Sequence, residues 1–296
     1  MQAMILAAGF GTRLRPYTDF KPKPLFPVLN RPLLVLTIER LQDFGFTKII
    51  VNCHHLQEQI VAELAGLDGV LIQQEDRILG TGGGLAKALA LMEDSPILVT
   101  NGDIYHTIPC DKIYHDHCRQ QAAVTLGMHD FSRFNRVWVK NGLVTSFDQP
   151  EPEPGAARLA FTGLQVINPA CLEKTAKDSF SCVIDLYRRL IREKKGIHSF
   201  RTDAYYWTDI GTPDDYLFLH RDLLAGRVPA WKNFGGISGR QFIGQNVRLD
   251  DCRLDGWCVI GDNVQIGRGA VIKNSVVWPG CRVKSGRLVE DMICHI

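Results

Sequence analysis

The chain has 296 residues, with 45% hydrophobic and 22% charged side chains and a formal net charge of +2. This is the make-up of an ordinary globular protein with enough apolar material for a sizeable core, as one large domain or two unequal ones. Near-neutral charge gives no global field for nucleic acid or an anionic membrane, and neither is expected as a partner. Nine cysteines, an odd number without CxxC spacing, exclude a secreted disulfide framework and a zinc site. The segment Met1 to Gly9 lacks the charged and apolar regions of a signal peptide, and no apolar run reaches the ~20 residues of a membrane span. A cytoplasmic location is the resulting expectation.

In chain order, Ala3–Ala7 is a short apolar run ending at Gly9 and reads as a buried strand. Leu33, Leu36, Leu41 and Phe44 have helical spacing, and Gly45 makes a helix stop. Residues 48–53 read as a strand, 56–64 as a helix and 70–74 as a strand. A glycine cluster then leads into a helix from about Leu85 to Met92, and 96–100 is another buried strand ending at Asn101-Gly102-Asp103. This alternation predicts a mostly parallel α/β sheet with helices on both faces and ligands at the carboxyl ends of its strands. Past residue 122 the pattern changes to short strands, with Asn141-Gly142 as a hairpin turn. Helical signals return at 182–193 and 214–224.

The segment from Arg227 to Phe234 reads as a linker. Beyond it Ile260, Ile266 and Ile272 stand six apart, as do Val264, Ala270 and Val276, with glycines after the first two isoleucines. A hexapeptide repeat of branched aliphatics predicts a short parallel β-helix. The expected domains are therefore 1–228 and 235–296.

The residues that can carry chemistry fall in four places. Leu6-Ala7-Ala8-Gly9-Phe10-Gly11-Thr12-Arg13-Leu14-Arg15-Pro16 joins a strand to a glycine loop, where small residues let backbone N–H groups approach phosphate. Arg13 can clamp phosphate with two donors, and Lys23, in Pro22-Lys23-Pro24-Leu25, adds a point charge. A dinucleotide fingerprint is excluded because its third glycine would fall at Leu14, and a P-loop because no GK[ST] is present. Leu79-Gly80-Thr81-Gly82-Gly83-Gly84 is a second glycine loop. Asp103 ends a strand, where a carboxylate can hold Mg2+ or cap a helix. Trp207-Thr208-Asp209-Ile210-Gly211-Thr212 carries a second aspartate, which could also serve only a turn.

Together these segments resemble the signature of the sugar-1-phosphate nucleotidyltransferases, and the resemblance runs in order along almost the whole chain. It implies a Rossmann-like nucleotidyltransferase domain followed by a left-handed β-helix. The implied reaction joins an NTP to a sugar 1-phosphate with Mg2+ and releases pyrophosphate. By this resemblance Leu6, Ala8, Gly9, Gly11, Thr12 and Arg13 face the NTP, Lys23 touches phosphates, and Gly80, Thr81 and Gly102 belong to the nucleotide site. Gln73 or Gln74, with Gln74 preferred, would meet the base. Asp103 and Asp209 would be the metal ligands, and Thr162 and Gly163 would face the sugar. Arg13, Lys23, Asp103 and Asp209 form the implied catalytic set.

Two positions depart from the family pattern. Thr162 stands where an asparagine is frequent, and Gln149, in Asp148-Gln149-Pro150, replaces a lysine that grips the sugar phosphate. The N-terminal half looks most like mannose-1-phosphate guanylyltransferases and N-acetylmuramate-1-phosphate uridylyltransferases. Glucose-1-phosphate uridylyl- and thymidylyltransferases share the motifs, so base and sugar stay open. Two other readings are a non-catalytic subunit that senses NDP-sugar and a bifunctional enzyme whose repeat transfers acyl groups. No histidine lies between Arg221 and Cys294 to serve such transfer, so the repeat is read as an assembly or capping element, a route to a homo-oligomer.

Overall fold

The computed structural model describes residues 1–147, 154–176, 178–234, 237 and 239–295. Gln149 and its neighbours Asp148 and Pro150 lie outside the described residues. The chain folds into two compact units that do not follow sequence order. The first comprises 1–10, 37–102 and 108–207; the second comprises 11–36, 103–107 and 208–296.

The first unit is built on a nine-stranded sheet. Its strands are β1 (Gln2–Leu6), β2 (Lys48–Cys53), β3 (Val70–Gln74), β4 (Ile97–Asn101), β5 (Val124–His129), β6 (Val137–Lys140), β7 (Leu143–Ser146), β8 (Ala157–Ile167) and β9 (Ile197–Arg201). The spatial order is β3-β2-β1-β4-β8-β5-β9-β7-β6. The first four are parallel, with Ala3 opposite both Ile49 and Leu98. Buried on both faces, β1, β2 and β4 are nearly continuous apolar runs, which is why they were legible as strands.

The sheet as a whole is mixed, not mostly parallel. Strand β8 enters antiparallel to both β4 and β5, and β7 is antiparallel to β9 and β6, whereas β5 and β9 pair parallel. The β6–β7 turn is Asn141-Gly142, both at positive φ (50° and 78°), which matches the right-handed twist of a tight hairpin.

The helix Val183–Arg192 buries Val183, Leu186, Tyr187 and Leu190, spaced i, i+3, i+4, i+7, in the apolar cluster of Val124, Leu126 and Ile197. One helix departs from expectation. It starts at Gly80, inside the glycine run, and ends at Ala88, whereas the pattern predicted 85–92. The segment 179–183 lies across its first turns. Gly82 and Gly83 donate to the Ser181 carbonyl, and Val183 N donates to Thr81 Oγ1 at 3.0 Å. A side chain at Gly83 would stand 2.3 Å from the Ser179 carbonyl oxygen. Close tertiary packing selects the glycines here and overrides their poor helix propensity.

In the second unit, the helix Pro213–Leu224 is preceded by Thr212, whose Oγ1 accepts from Asp215 N at 3.2 Å. Pro213 occupies the first turn, with Asp214 and Asp215 at its positive end. After it come two ladders of parallel strands. Gln241–Ile243, Arg253–Ile260, Val271–Val277 and Leu288–Glu290 form one; Arg248–Leu249, Gln265–Ile266 and Arg282–Val283 form the other. Paired residues such as Gln241 with Cys258, Arg248 with Gln265, and Val276 with Ile293 stand seventeen apart. Ile260, Val264, Ile266, Ala270, Ile272, Val277 and Val283 share one buried cluster.

Candidate functional site

In the second unit, four residues distant in sequence meet. Lys23 and its neighbours Pro24 and Leu25 form one buried turn of 3₁₀ helix. The Lys23 side chain is only 8% exposed, and its Nζ donates a short hydrogen bond to Asp103 Oδ2. Asp103 lies in front of strand Ile104–His106. Its carbonyl accepts from Ile210 N at 3.0 Å, a bond that holds the chain after Asp209 beside it. Arg13 closes the group, with Nη2 3.6 Å from Asp209 Oδ2.

Two glycines make this approach feasible. Gly11 has φ +62°, and a Cβ there would meet Thr18 Cγ2 at 2.8 Å. At Gly211 a Cβ would stand 2.5 Å from Asp209 Oδ2 and 2.8 Å from Arg13 Nη1, so this ion pair packs directly over its backbone. Arg13 is the exposed member of its pair and Asp209 the covered one, with side-chain exposures of 59% and 15%. An arginine held at one end and open at the other can still reach an anion.

Burial raises the Asp209 carboxyl above its usual range. Lys23 draws it down, Asp103 and Asp215 push it up, and Arg13 opposes them. Asp103 therefore repels the Asp209 carboxylate. Two hard carboxylates that repel are a donor set suited to Mg2+, which takes few protein oxygens and completes its shell with phosphates and water. Among the described residues no group of three or more acidic, histidine or cysteine side chains gathers to hold a metal, so this pair would rely on phosphate and water for the rest of the shell.

In the first unit, Leu6 ends β1 and its carbonyl accepts from Gly102 N at 2.9 Å, which places Ala8 and Gly9 on the same strand-end loop. Gly9 has open space where a Cβ would be, and Thr12, in the second unit, is exposed. Gln74 has an exposed side chain at the end of β3, whereas Gln73 turns inward and donates to the Gly84 carbonyl at 3.0 Å. Thr162 is 1% exposed. Its hydroxyl donates to the Gly127 carbonyl (2.9 Å) and accepts from Leu164 N (3.3 Å), so both of its hydrogen-bonding roles are spent on backbone. Gly163 is at φ +80°.

Three residues in this unit escaped sequence reasoning. Asn101 ends β4, and its amide nitrogen is 2.6 Å from where a Cβ on Gly163 would be. Its place in the Asn101-Gly102-Asp103 segment was the available signal. Glu75 is 1% exposed, and its carboxylate accepts from Asn52 Nδ2 (2.8 Å) and Leu79 N (3.2 Å). Asn52 Oδ1 in turn accepts from Ala7 N at 2.8 Å. This buried pair ties the end of β1 to the turn before Gly80. A lone glutamate after a strand carries no mark of such burial.

The Nucleotidyl transferase family model matches residues 2–226. The chain belongs to this family. It is 28% identical over 311 residues to mannose-1-phosphate guanylyltransferase 1 of Arabidopsis thaliana, covering 99% of this chain and 84% of that protein. It is 27% identical over 340 residues to UTP–glucose-1-phosphate uridylyltransferase of Synechocystis sp., covering 99% and 87%. Among solved structures, HddC from Yersinia pseudotuberculosis complexed with GMP-PN superposes with a TM-score of 0.62 at 23% identity, over 75% of this chain and 99% of that one. That likeness is one of fold, the mixed α/β nucleotidyltransferase architecture. Among the described residues of this family member, no helix is long and apolar enough to cross a membrane.

Proposed function

We propose that this chain is a sugar-1-phosphate nucleotidyltransferase that makes an NDP-sugar and pyrophosphate from an NTP and a sugar 1-phosphate. The observation that carries the reading is the convergence of Arg13, Lys23, Asp103 and Asp209, each from its own motif, into one cluster of alternating charge. The relatives' names supply the substrate class, as mannose-1-phosphate and glucose-1-phosphate transferases. They do not select between the sugars.

In the reaction a sugar-phosphate oxygen forms a bond to the α-phosphorus, and the bond from that phosphorus to the bridging oxygen breaks, releasing pyrophosphate. No covalent intermediate on the enzyme is required, so catalysis reduces to positioning and charge stabilisation. Asp103 and Asp209 would hold Mg2+, which when bound neutralises charge on the phosphoryl groups. Arg13, open on one side, stabilises the departing pyrophosphate. Lys23 supplies a fixed positive charge to the phosphates. By the family resemblance Leu6, Ala8, Gly9, Gly11, Thr12, Gln74, Gly80, Thr81 and Gly102 are assigned to the nucleotide. Gly163 serves the sugar through its backbone. Thr162, its hydroxyl engaged, acts by shaping that backbone, and Asn101 is the nearby side chain suited to sugar hydroxyls.

The chemistry falls to residues 1–228, and we read 235–296 as a left-handed β-helix with coils of about seventeen residues and a role in assembly. Nine scattered cysteines in the whole chain suit the cytoplasm. The test is a panel of NTPs against sugar 1-phosphates in Mg2+, read by pyrophosphate release. A folded preparation that releases pyrophosphate from no pair would overturn the reading.

A further inference from the structure

The repeat contains a residue that its own core does not use. Ile260, Ile266, Ile272 and Val277 fill the aliphatic stack, but the next residue, Trp278, is absent from that cluster and is still only 4% exposed. Its ring meets Phe26 edge-to-face at 4.8 Å and Tyr17 at 6.1 Å. Its Nε1 donates to Tyr216 Oη at 3.1 Å, and the Tyr216 hydroxyl donates a short hydrogen bond to the Pro27 carbonyl. Tyr17, Phe26 and Pro27 bracket Lys23 in sequence.

The bracketed segment has little regular structure to fix it. Between Gly11 and Leu36 it contains three single-turn 3₁₀ helices and one ribbon of two residues a side, Pro27–Val28 with Arg31–Pro32, before α1 (Leu33–Asp43) begins. Side-chain contacts must therefore position it. A second contact comes from the same repeat: Asn30 Nδ2 donates to Asp262 Oδ1 at 2.9 Å, and Gln245 N donates to that oxygen at 2.6 Å. A side chain at Gly244 would stand 2.3 Å from Asn30 Nδ2, so the repeat leaves room for this amide.

We propose that Trp278 is a positioning residue of the enzyme, acting with Tyr216 and Pro27 to hold the Lys23 turn against Asp103. The repeat is then part of the catalytic apparatus. The indole does two things: its ring packs against Phe26 at the end of the turn, and its N–H orients the phenol that donates to Pro27. Trp278→Phe removes the second alone, and Trp278→Leu removes both.

The first readout does not depend on the proposed reaction. Lys23 is 8% exposed on its side chain and Lys273 45%. Acetic anhydride labelling of the full chain, mapped by mass spectrometry, should label Lys273 equally in all variants. Trp278→Leu should raise labelling of Lys23 at least about fivefold, and Trp278→Phe should raise it less, the loss of one hydrogen bond being a factor of about five. The second readout rests on the reading of Lys23 as a phosphate ligand. Trp278→Phe should lower kcat/KM about fivefold, and on a Lys23→Ala background it should cost less than about twofold more. A purely structural tryptophan would give the same loss on both backgrounds. Lys23 still protected in Trp278→Leu and Trp278→Phe, with both melting cooperatively, overturns the proposal. Exposed Lys23 with full activity in Lys23→Ala would instead overturn the role of Lys23 and leave the positioning intact. Should Trp278→Leu fail to fold, Trp278→Phe and Tyr216→Phe, which cut the same relay, carry the test and should be non-additive with each other.

Discussion

At the scale of single residues, the cluster around Asp103 and Asp209 makes sharp demands. Asparagine keeps the shape of either carboxylate and removes its charge. Asp103→Asn also deprives Lys23 of its anion, and Asp209→Asn frees Arg13. Each variant should lower kcat by at least about a hundredfold while far-UV circular dichroism stays native, because the proposed transition state depends on charge rather than contact area. Near-normal kcat in both, or turnover that persists in excess EDTA, would remove these residues from the mechanism. Lys23→Ala removes the charge-assisted hydrogen bond proposed to a substrate phosphate, worth roughly 1.5–3 kcal/mol, so binding of the sugar phosphate should weaken about tenfold to a hundredfold. Steady-state kinetics with the sugar phosphate varied at saturating NTP reads this directly; constants within about twofold of normal would reassign the charge.

At the scale of elements, the helix Pro213–Leu224 shows how local sequence and distant packing share the work. Thr212 caps it, and Thr212→Ala should cost about 1 kcal/mol by urea denaturation. His220, farther along, is fully buried, with Nε2 accepting from Leu29 N at 3.3 Å, so the proton on Nδ1 is the one given to the Tyr216 carbonyl at 2.8 Å. Both contacts suit the neutral ring, and burial depresses its pKa from 6.5 to about 4. The unfolded chain therefore takes up this proton first as pH falls. Stability from this group is whole above about 6.5, declines between about 6.5 and about 4, and levels off below. The loss amounts to about 3 kcal/mol. His220→Gln should flatten that part of the stability curve in denaturant titrations at pH 7 and pH 4; an unchanged slope would show that the ring is not the proton acceptor.

At the scale of the whole molecule, the compact units cut across sequence order, and the second places the Gly11–Leu36 segment with the repeat. A chain ended at Phe234 keeps every motif of the proposed active site but loses Trp278, Asp262 and the strand ladders. We expect such a truncation to show exposed Lys23 and at least about tenfold lower kcat/KM, with the nine-stranded sheet still protected in hydrogen exchange. Full activity in the truncated chain would return the repeat to an assembly role alone.

What the sequence determined by itself was set by short-range physics. Buried parallel strands are apolar runs, and a tight hairpin suits Asn141-Gly142. Strands β2 and β3 were therefore legible to the residue, and the β6–β7 hairpin by its turn. Arg13, Lys23, Asp103 and Asp209 could be singled out from their motifs, and folding pairs them as Arg13 with Asp209 and Lys23 with Asp103. The tertiary structure alone decided matters that depend on what lies opposite. It made β8 antiparallel in an otherwise promising parallel order, and drew the glycine run at 80–84 into a helix because 179–183 crosses it. It buried Glu75 and Asn52 as a tie between two loops, and spent the Thr162 hydroxyl on backbone. It also turned one tryptophan of the repeat toward the lysine turn. Hydrogen-bond partners and close contacts between residues a hundred or more positions apart leave no periodic trace along the chain, and only folding brings them together.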